Sequence, residues 1–234
     1  MSLLTLIQNA CDLLSISRPT AVISSPDQQI RQLLAAAQEE GYDLAHRFDW
    51  QALTNEQTFT TVAQASQTGA VPADWDRFIP NSFFNRTTRR ELIGPITPQQ
   101  WQAIQAQPQL NRVYLAFRER DGSFLITPNP PAGQTIAFEY VSKNWCQSAG
   151  NVAQSAFLAD TDMALLDEWI MTLGVRWRWR KAKGLEYAED FNTYERAVGQ
   201  KAARDQGAGK ISTTGKGYIP LGPNLPEGDF PGPS

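Results

Sequence analysis

Residues 160–198 read DTDMALLDEWIMTLGVRWRWRKAKGLEYAEDFNTYERAV and contain two consecutive helical patterns. In the first half, large apolar side chains recur at helical spacing, as Leu166, Trp169, Ile170, Leu173 and Trp177. In the second half, the same spacing connects Tyr187, Phe191, Tyr194 and Val198. Gly184 lies between the two runs, where a left-handed glycine commonly ends a helix. The stretch predicts an antiparallel helical hairpin, with helices near 161–183 and 185–204 and with both indoles of the first run facing the core.

Two further helices are predicted near the N-terminus. Residues 2–15 are apolar on almost every side, which is typical of a helix that is buried or shared with a neighbouring subunit. Residues 26–48 again place apolar side chains at helical spacing. Ser25, Pro26 and Gln28 fit the cap, the first helical residue and the capping-box partner of that helix.

The middle of the chain changes to β patterns. Residues 58–63 are β-branched and predict a strand. Asp121-Gly122 is a dipeptide favoured in two-residue hairpin turns, and it follows an alternating run at 113–118. Residues 134–145 alternate as well, with Ile136, Phe138 and Tyr140 on one side. We expect a small antiparallel meander of about three strands, plus the earlier strand.

The segments between these strands carry weaker signals. Thr97 and Gln100 predict a capping box at the start of a short helix. Residues 64–72 are polar and predict a loop, and residues 81–90 predict an irregular aromatic and basic segment.

Together these patterns predict an α+β fold that is mainly an α-helical bundle, with a small antiparallel β-domain inserted into it. Residues 1–54 and 146–206 are assigned to the bundle domain, and residues 55–145 to the inserted domain. Residues 207–234 are dominated by glycine and proline and are predicted to form an extended C-terminal arm.

Two interpretations of this arm stay open. Its composition is typical of a tail that remains disordered in the isolated monomer. Its spaced apolar residues and stiff prolines instead favour an arm that becomes ordered on another subunit or a partner. The residues predicted to make that contact are Tyr218, Ile219, Leu221, Leu225 and Phe230.

Composition limits the classes of function. The net charge of -3 over 234 residues argues against a protein that binds nucleic acid with its whole surface. Cys11 is expected to be a buried thiol, and Cys11 and Cys146 are too far apart in sequence to indicate a disulfide framework, which fits a reducing compartment. The first residues lack the features of a signal peptide, and no run approaches the roughly 18 apolar residues of a membrane helix. We expect synthesis in the cytoplasm and no contact with a membrane.

Few residues indicate catalysis. His46 is the one histidine, and it is expected to be a helix or interface residue. No phosphate-binding, dinucleotide or nucleophile motif occurs, so we expect no cofactor and no enzymatic activity. Acidic clusters leave one hypothesis open, a metal-dependent nuclease, although dipole-matched helix starts explain them better. The clustered carboxylates are Asp160, Asp162, Asp167, Glu168, Glu186, Glu189 and Asp190.

Basic residues offer a second hypothesis. Residues 176–183 alternate arginine or lysine with Trp177 and Trp179, as in modules that stack on nucleic-acid bases. On a helix, the same residues are better explained as a charged stripe that pairs with acidic groups. A second basic cluster lies at 86–90. The side chains predicted as possible contacts with DNA or a neighbouring subunit are Arg86, Arg89, Arg90, Arg176, Arg180 and Lys183.

Five strings, taken in order, carry a resemblance to a known family. They are LTLIQNACDLLSISRPTAV (4–22), DQQIRQLLAAAQEEGYDLAHRFDWQAL (27–53), PADWDRFI (72–79), FEYVSKNW (138–145) and the stretch 159–198. The chain resembles the head-to-tail adaptor proteins of tailed bacteriophages, of the tail tubular protein A type, over about residues 3–200.

The resemblance implies a structural protein of the virion neck. It implies a bundle with an inserted β-domain, and a ring of twelve copies between the portal protein and the tail nozzle or tail tube. Such a ring would line a channel through which viral DNA passes without sequence-specific binding. The alternative function is the nucleic-acid-binding module formed by helix 176–183.

Overall fold

The structure, a computed structural model, describes residues 2–106, 115–120 and 122–205. Its helices are α1 (Leu3–Leu14), α2 (Gln28–Arg47), α3 (Pro98–Gln105), α4 (Glu168–Ala182) and α5 (Ala188–Asp205). Its strands are β1 (Thr54–Thr60), β2 (Ser66–Gln67), β3 (Trp75–Phe78), β4 (Phe84–Asn85), β5 (Arg90–Glu91), β6 (Ala116–Arg120), β7 (Ser123–Thr127), β8 (Thr135–Ser142), β9 (Cys146–Gln147), β10 (Ala153–Gln154) and β11 (Met163–Ala164). The described residues divide into two compact units, one with residues 2–54 and 142–205, the other with Asn55–Val141.

Helix α4 is the centre of the first unit, because it packs against α1, α2 and α5. Its residues from Ile170 to Val175 are all buried. As predicted, a left-handed glycine terminates the helix: Gly184 follows the cap residue Lys183 and has a φ of 69°. The Gly184 N–H donates to the Lys181 carbonyl at 3.1 Å, and the Leu185 N–H donates to the Arg180 carbonyl at 3.0 Å. These are the two hydrogen bonds of a glycine-terminated helix.

The first unit also contains a small sheet in which β9 lies between β10 and β11. Met163 pairs with Gln147 in this sheet. The prediction that a helix starts near residue 161 is therefore wrong. Helix α4 begins only at Glu168, after Asp167, whose carboxylate accepts a hydrogen bond from the Trp169 N–H at 3.1 Å.

The second unit is built on strand β8. In the five-stranded sheet, β1 and β4 lie on either side of β8, β5 lies beyond β4, and β3 also pairs with β8. A second sheet has the order β2, β7, β6. Arg120 pairs with Ser123, and Gly122 has a φ of 67°, so the predicted two-residue hairpin turn is confirmed. The other turn residue, Asp121, lies outside the described residues.

Phenylalanine rings fill the core of the second unit. Phe83, Phe117, Phe124 and Phe138 are buried, with ring centroids 3.8–6.0 Å apart in the contacting pairs. Ile136 and Tyr140 join the same cluster, as the alternation in this strand predicted. The core of this unit is therefore made largely by the inward faces of its sheets.

The predicted fold class is wrong. The described chain has five helices and three antiparallel sheets, with a β-rich core, so it is not mainly an α-helical bundle. The segments predicted as loops at 64–72 and 81–90 contain β2, β4 and the first residue of β5. Each of these strands has only two residues, which is too short for a period-two pattern to be recognised.

The predicted helix caps and the cysteines can also be compared with the structure. Helix α2 is capped by Asp27, whose Oδ1 accepts from the Gln29 N–H at 2.8 Å, so the capping box assigned to Ser25 is wrong. The capping box of Thr97 and Gln100 is confirmed. Cys11 is confirmed as a buried free thiol, and Cys146 is a buried free thiol as well. Burial raises the pKa of Cys11 to about 11 and of Cys146 to about 12.

Candidate functional site

Two carboxylates of the metal hypothesis, Asp160 and Asp162, accept hydrogen bonds from backbone amides. The Asp162 Oδ2 accepts from the N–H groups of Leu158 and Ala159 at 2.7 and 2.8 Å. The Asp160 Oδ1 accepts from the Ile23 N–H at 2.8 Å. Each carboxylate therefore fixes a loop. Among the described residues, no group of three histidine, cysteine or acidic side chains is placed to hold a metal ion.

Arg178 lies at the centre of an ion-pair network between α2 and α4. Its guanidinium donates to Glu40 at 2.8 Å, to Glu39 at 2.6 Å and to Asp43 at 2.8 Å. The Arg178 side chain is only 10 % exposed and Glu40 is fully buried. Three carboxylates around one guanidinium leave this cluster, which we call the Arg178 cluster, with an excess of negative charge.

The two helices are close at this point because α4 carries Gly174. Any Cβ at position 174 would collide with the Glu40 carboxyl. Burial raises the pKa of the Glu40 carboxyl above its ordinary value of 4.5, although the hydrogen bonds from Arg178 and Tyr194 oppose that rise. The Arg178 guanidinium therefore compensates the loss of solvent around a charge that the helix packing has buried.

The other cations of α4 are also engaged within the first unit. Arg176 and Arg180 both pair with the buried carboxylate of Asp190, the second at 2.9 Å. Lys183 lies over the Trp179 ring, 5.4 Å from its centroid. Residues 176–183 thus form the charged stripe that pairs with acidic groups of the same chain. A contact of Arg176, Arg180 or Lys183 with DNA or with a neighbouring subunit stays a prediction.

Aromatic side chains surround a hollow of about 450 Å³ beside the Arg178 cluster. Tyr42 lines the hollow and is 64 % exposed, and Phe191, which also lines it, is exposed as well. Trp177 forms the buried floor, with its ring centroid 5.1 Å from that of Phe191. We call the hollow and its carboxylates Glu39, Asp43 and Glu195 the α2–α5 patch.

A second exposed aromatic lies at the other end of α4. The hairpin prediction placed Trp169 in the core, but its side chain is 58 % exposed, so that prediction is wrong. Trp169 borders a groove of about 460 Å³ that is also lined by Trp50 and Asp205. Asp205 is the last residue of α5, and its Oδ2 accepts from the Gln51 N–H at 2.7 Å.

The basic cluster at 86–90 forms the turn between β4 and β5. The Asn85 Oδ1 accepts from the N–H groups of Thr87 and Thr88, both at 3.0 Å. The Arg86 N–H donates to the Thr135 carbonyl at 2.8 Å, and the Thr135 N–H donates to the Thr87 Oγ1 at 2.9 Å. We call residues 86–90 the arginine turn. Its backbone is fixed by neighbouring residues, and residues 86–89 are exposed.

The side chains of the arginine turn differ in their surroundings. Arg86 donates to Glu56 at 2.7 Å, in a pair of which both members are about half exposed. Arg89 has a φ of 54°, a left-handed conformation that is uncommon for residues other than glycine and asparagine. Their predicted contact with DNA or a subunit, together with that of Arg90, stays a prediction.

The predicted contact residues of the arm lie outside the described residues: Tyr218, Ile219, Leu221, Leu225 and Phe230. His46 lies on α2 as expected, with its Nδ1 2.6 Å from the Tyr42 carbonyl oxygen. In the described part of the chain, no helix is both long and apolar enough to span a membrane.

The Arg178 cluster was missed by the sequence analysis, although a signal for it exists. Ile30, Leu33, Ala37, Leu44 and the acidic Glu40 follow one helical stripe and are all buried. A glutamate within an apolar stripe indicates a buried partner of opposite charge. Which of the arginines in α4 faces it depends on how the helices pack.

Comparison with known proteins identifies a family. The family model described as SU10 adaptor protein matches residues 1–223. A search of curated proteins found no match to this chain.

Proposed function

Because the chain belongs to the SU10 adaptor protein family, we propose that its copies assemble into a ring between the portal and the tail of a phage. Family membership itself means that the chain is a structural head-to-tail adaptor of the virion neck, and it implies contact with portal and tail components. The ring, its twelve copies and its likeness to tail tubular protein A are proposed from the resemblance. The observation that carries the proposal is the family match over residues 1–223.

We propose further that the ring lines a channel through which viral DNA passes without sequence-specific binding. Tight binding to DNA requires cations that can neutralise phosphates. In helix α4, the arginines at 176, 178 and 180 already pair with carboxylates of their own chain. With a net charge of -3, such a surface supports sliding of DNA more than its retention.

The two units are proposed to act as separate domains, with residues 1–54 and 146–206 in one and residues 55–145 in the other. The first is proposed to form the wall of the ring and to contact neighbouring copies. The second is proposed to project outward or toward the tail nozzle. Its sheets enclose their own phenylalanine core, which supports an independent role for it.

The assembly can be tested by imaging the full chain mixed with its portal protein. We expect electron microscopy to show rings on the portal, and native mass spectrometry to report a single dominant copy number. The free chain serves as the control, since an adaptor subunit can remain monomeric until the portal is present. Monomers that persist with portal under all conditions would contradict the proposed ring.

The arm is proposed to dock on the portal or on an adjacent subunit through its apolar residues. Deletion of residues 207–234 is expected to weaken ring formation with portal, because the docking segment is lost. The helix content measured by circular dichroism is expected to stay unchanged, because the deletion removes none of the described residues. A truncated chain that forms rings as readily as the full chain would show that the arm has no part in assembly.

A further inference from the structure

The α2–α5 patch and the arginine turn are complementary in charge. The described acidic groups of the patch are Glu39, Asp43 and Glu195, and together with the buried Glu40 they pair with Arg47 and Arg178. Lys181 also lies over the Trp177 ring, 5.6 Å from its centroid. The acidic groups therefore remain in the majority. The arginine turn carries three guanidinium groups within five residues. The acidic groups beside it are Glu56, which pairs with Arg86, and the exposed Glu91, which follows Arg90 in sequence.

The patch also has the chemistry that an arginine side chain favours. Guanidinium groups stack on aromatic faces and bind carboxylates at the same time. The hollow offers the exposed rings of Tyr42 and Phe191, with Glu39 and Asp43 at its border. Tyrosine and arginine are enriched at the centres of protein interfaces for the same reason. The hollow is thus suited to a basic protein segment.

The arginine turn is suited to docking because its backbone is already ordered. Hydrogen bonds from Thr87, Thr88 and Thr135 fix its shape before any partner binds. A preordered segment loses little conformational entropy when it docks. Arg89 lies at the exposed end of the turn, and its left-handed backbone is part of that fixed shape.

We propose that the arginine turn of one copy of the chain docks in the α2–α5 patch of the next copy. This contact rests on the proposed ring and names the surfaces that join its subunits. Two different patches of the same chain meet, so the contact is heterologous. Repetition of one heterologous contact closes a ring when the rotation between copies allows it. Tyr42 and Arg89 are brought together across the subunit boundary.

Cysteine cross-linking in the full chain tests this contact directly. A Tyr42→Cys chain is mixed with an Arg89→Cys chain in the presence of portal and then oxidised. We expect disulfide-linked pairs that contain one chain of each type, because the proposed contact brings the two positions together. Since a disulfide forms only between Cα atoms about 4.4–6.8 Å apart, such pairs report that proximity. A chain with both substitutions is expected to give a ladder of multimers. The natural Cys11 and Cys146 are fully buried and form no part of this surface.

A matched control uses Val152→Cys, which is another exposed position on the first unit. Mixed with the Arg89→Cys chain, it is expected to give no cross-linked pairs. If both mixtures cross-link equally, the disulfides arise from random collision and the proposed contact is overturned.

A charge exchange provides the second measurement. Arg89→Glu and Tyr42→Arg are each expected to lower the yield of rings by about tenfold, because each brings like charges together at the contact. The variant with both changes is expected to recover most of the yield, since opposite charges then face each other again. If the wild-type chain forms rings and each single variant forms them equally well, this contact alone is overturned. Absence of rings from the wild-type chain would overturn the proposed function, and this contact with it.

Discussion

Replacement of Arg178 by alanine is expected to destabilise the folded chain by about 3–5 kcal/mol near neutral pH. The change leaves Glu40 fully buried without the guanidinium that faces it at 2.8 Å. An isolated buried carboxylate is expensive, because neither water nor a cation compensates its charge. Urea unfolding followed by circular dichroism measures the loss.

The pH dependence of this loss follows from the pKa of Glu40. Burial raises that pKa above its ordinary value of 4.5, so Glu40 stabilises the fold when protonated and this contribution is lost as pH rises through the raised pKa. Without Arg178 the rise in pKa becomes larger. We therefore expect Arg178→Ala to destabilise strongly at about pH 7.5 and much less at about pH 4, where Glu40 needs no cation.

Two variants separate this mechanism from a general loss of packing. In a Glu40→Gln background, Arg178→Ala is expected to have a much smaller effect, because no buried charge remains to be stranded. Arg18→Ala breaks an exposed pair with Asp12 and is expected to leave the unfolding midpoint nearly unchanged. An equal loss for Arg178→Ala at both pH values, with and without Glu40, would show that the ion pair is not the cause.

The sequence predicted the long helices well because their signal extends over many turns. The apolar spacing in α1, α2, α4 and α5 repeats often enough to be recognised without knowledge of the packing. Gly184 marked the end of α4 through the backbone conformation that it alone allows at low cost. The start of α4 was misplaced, because local sequence does not show that Asp167 caps this helix while Asp162 accepts a hydrogen bond from the Leu158 N–H.

The strands were underestimated for a physical reason. Strands of two residues such as β2, β4 and β5 owe their conformation to the neighbours they pair with. Their pairing is non-local: Phe84 lies beside Ala137, and Ser66 beside Leu125. Local sequence carries little of that information, so the β-rich core appeared smaller than it is.

The candidate site was predictable only in part. The alternation of arginine and tryptophan at 176–183 identified the basic stripe, and its interpretation as a stripe paired with acidic groups agrees with the structure. The partner acids Glu39, Glu40 and Asp43 lie more than 130 residues away along the chain, as the separations of 135–139 residues show. Trp169 was wrongly placed in the core because helical spacing identifies the apolar face of a helix, but it does not show how far along that face the neighbouring helices extend.

Replacement of Phe124 by alanine is expected to destabilise the second unit by about 3–5 kcal/mol. Phe124 is fully buried, and its ring centroid lies 5.0 Å from that of Phe117 and 5.6 Å from that of Phe83. Loss of the ring removes its buried apolar area and leaves a cavity that the paired strands cannot close by moving. Ile93→Ala removes an apolar side chain that is half exposed in the same unit, and it is expected to have a far smaller effect.

The same variant tests whether the two units act as separate domains. If they do, hydrogen exchange in Phe124→Ala is expected to accelerate in strands β6, β7 and β8, while α4 keeps its protection. Arg178→Ala is expected to give the opposite pattern, because its contacts all lie within the first unit. If either change accelerates exchange equally in both units, the chain unfolds as one cooperative body and the division at residues 55–145 has no energetic meaning.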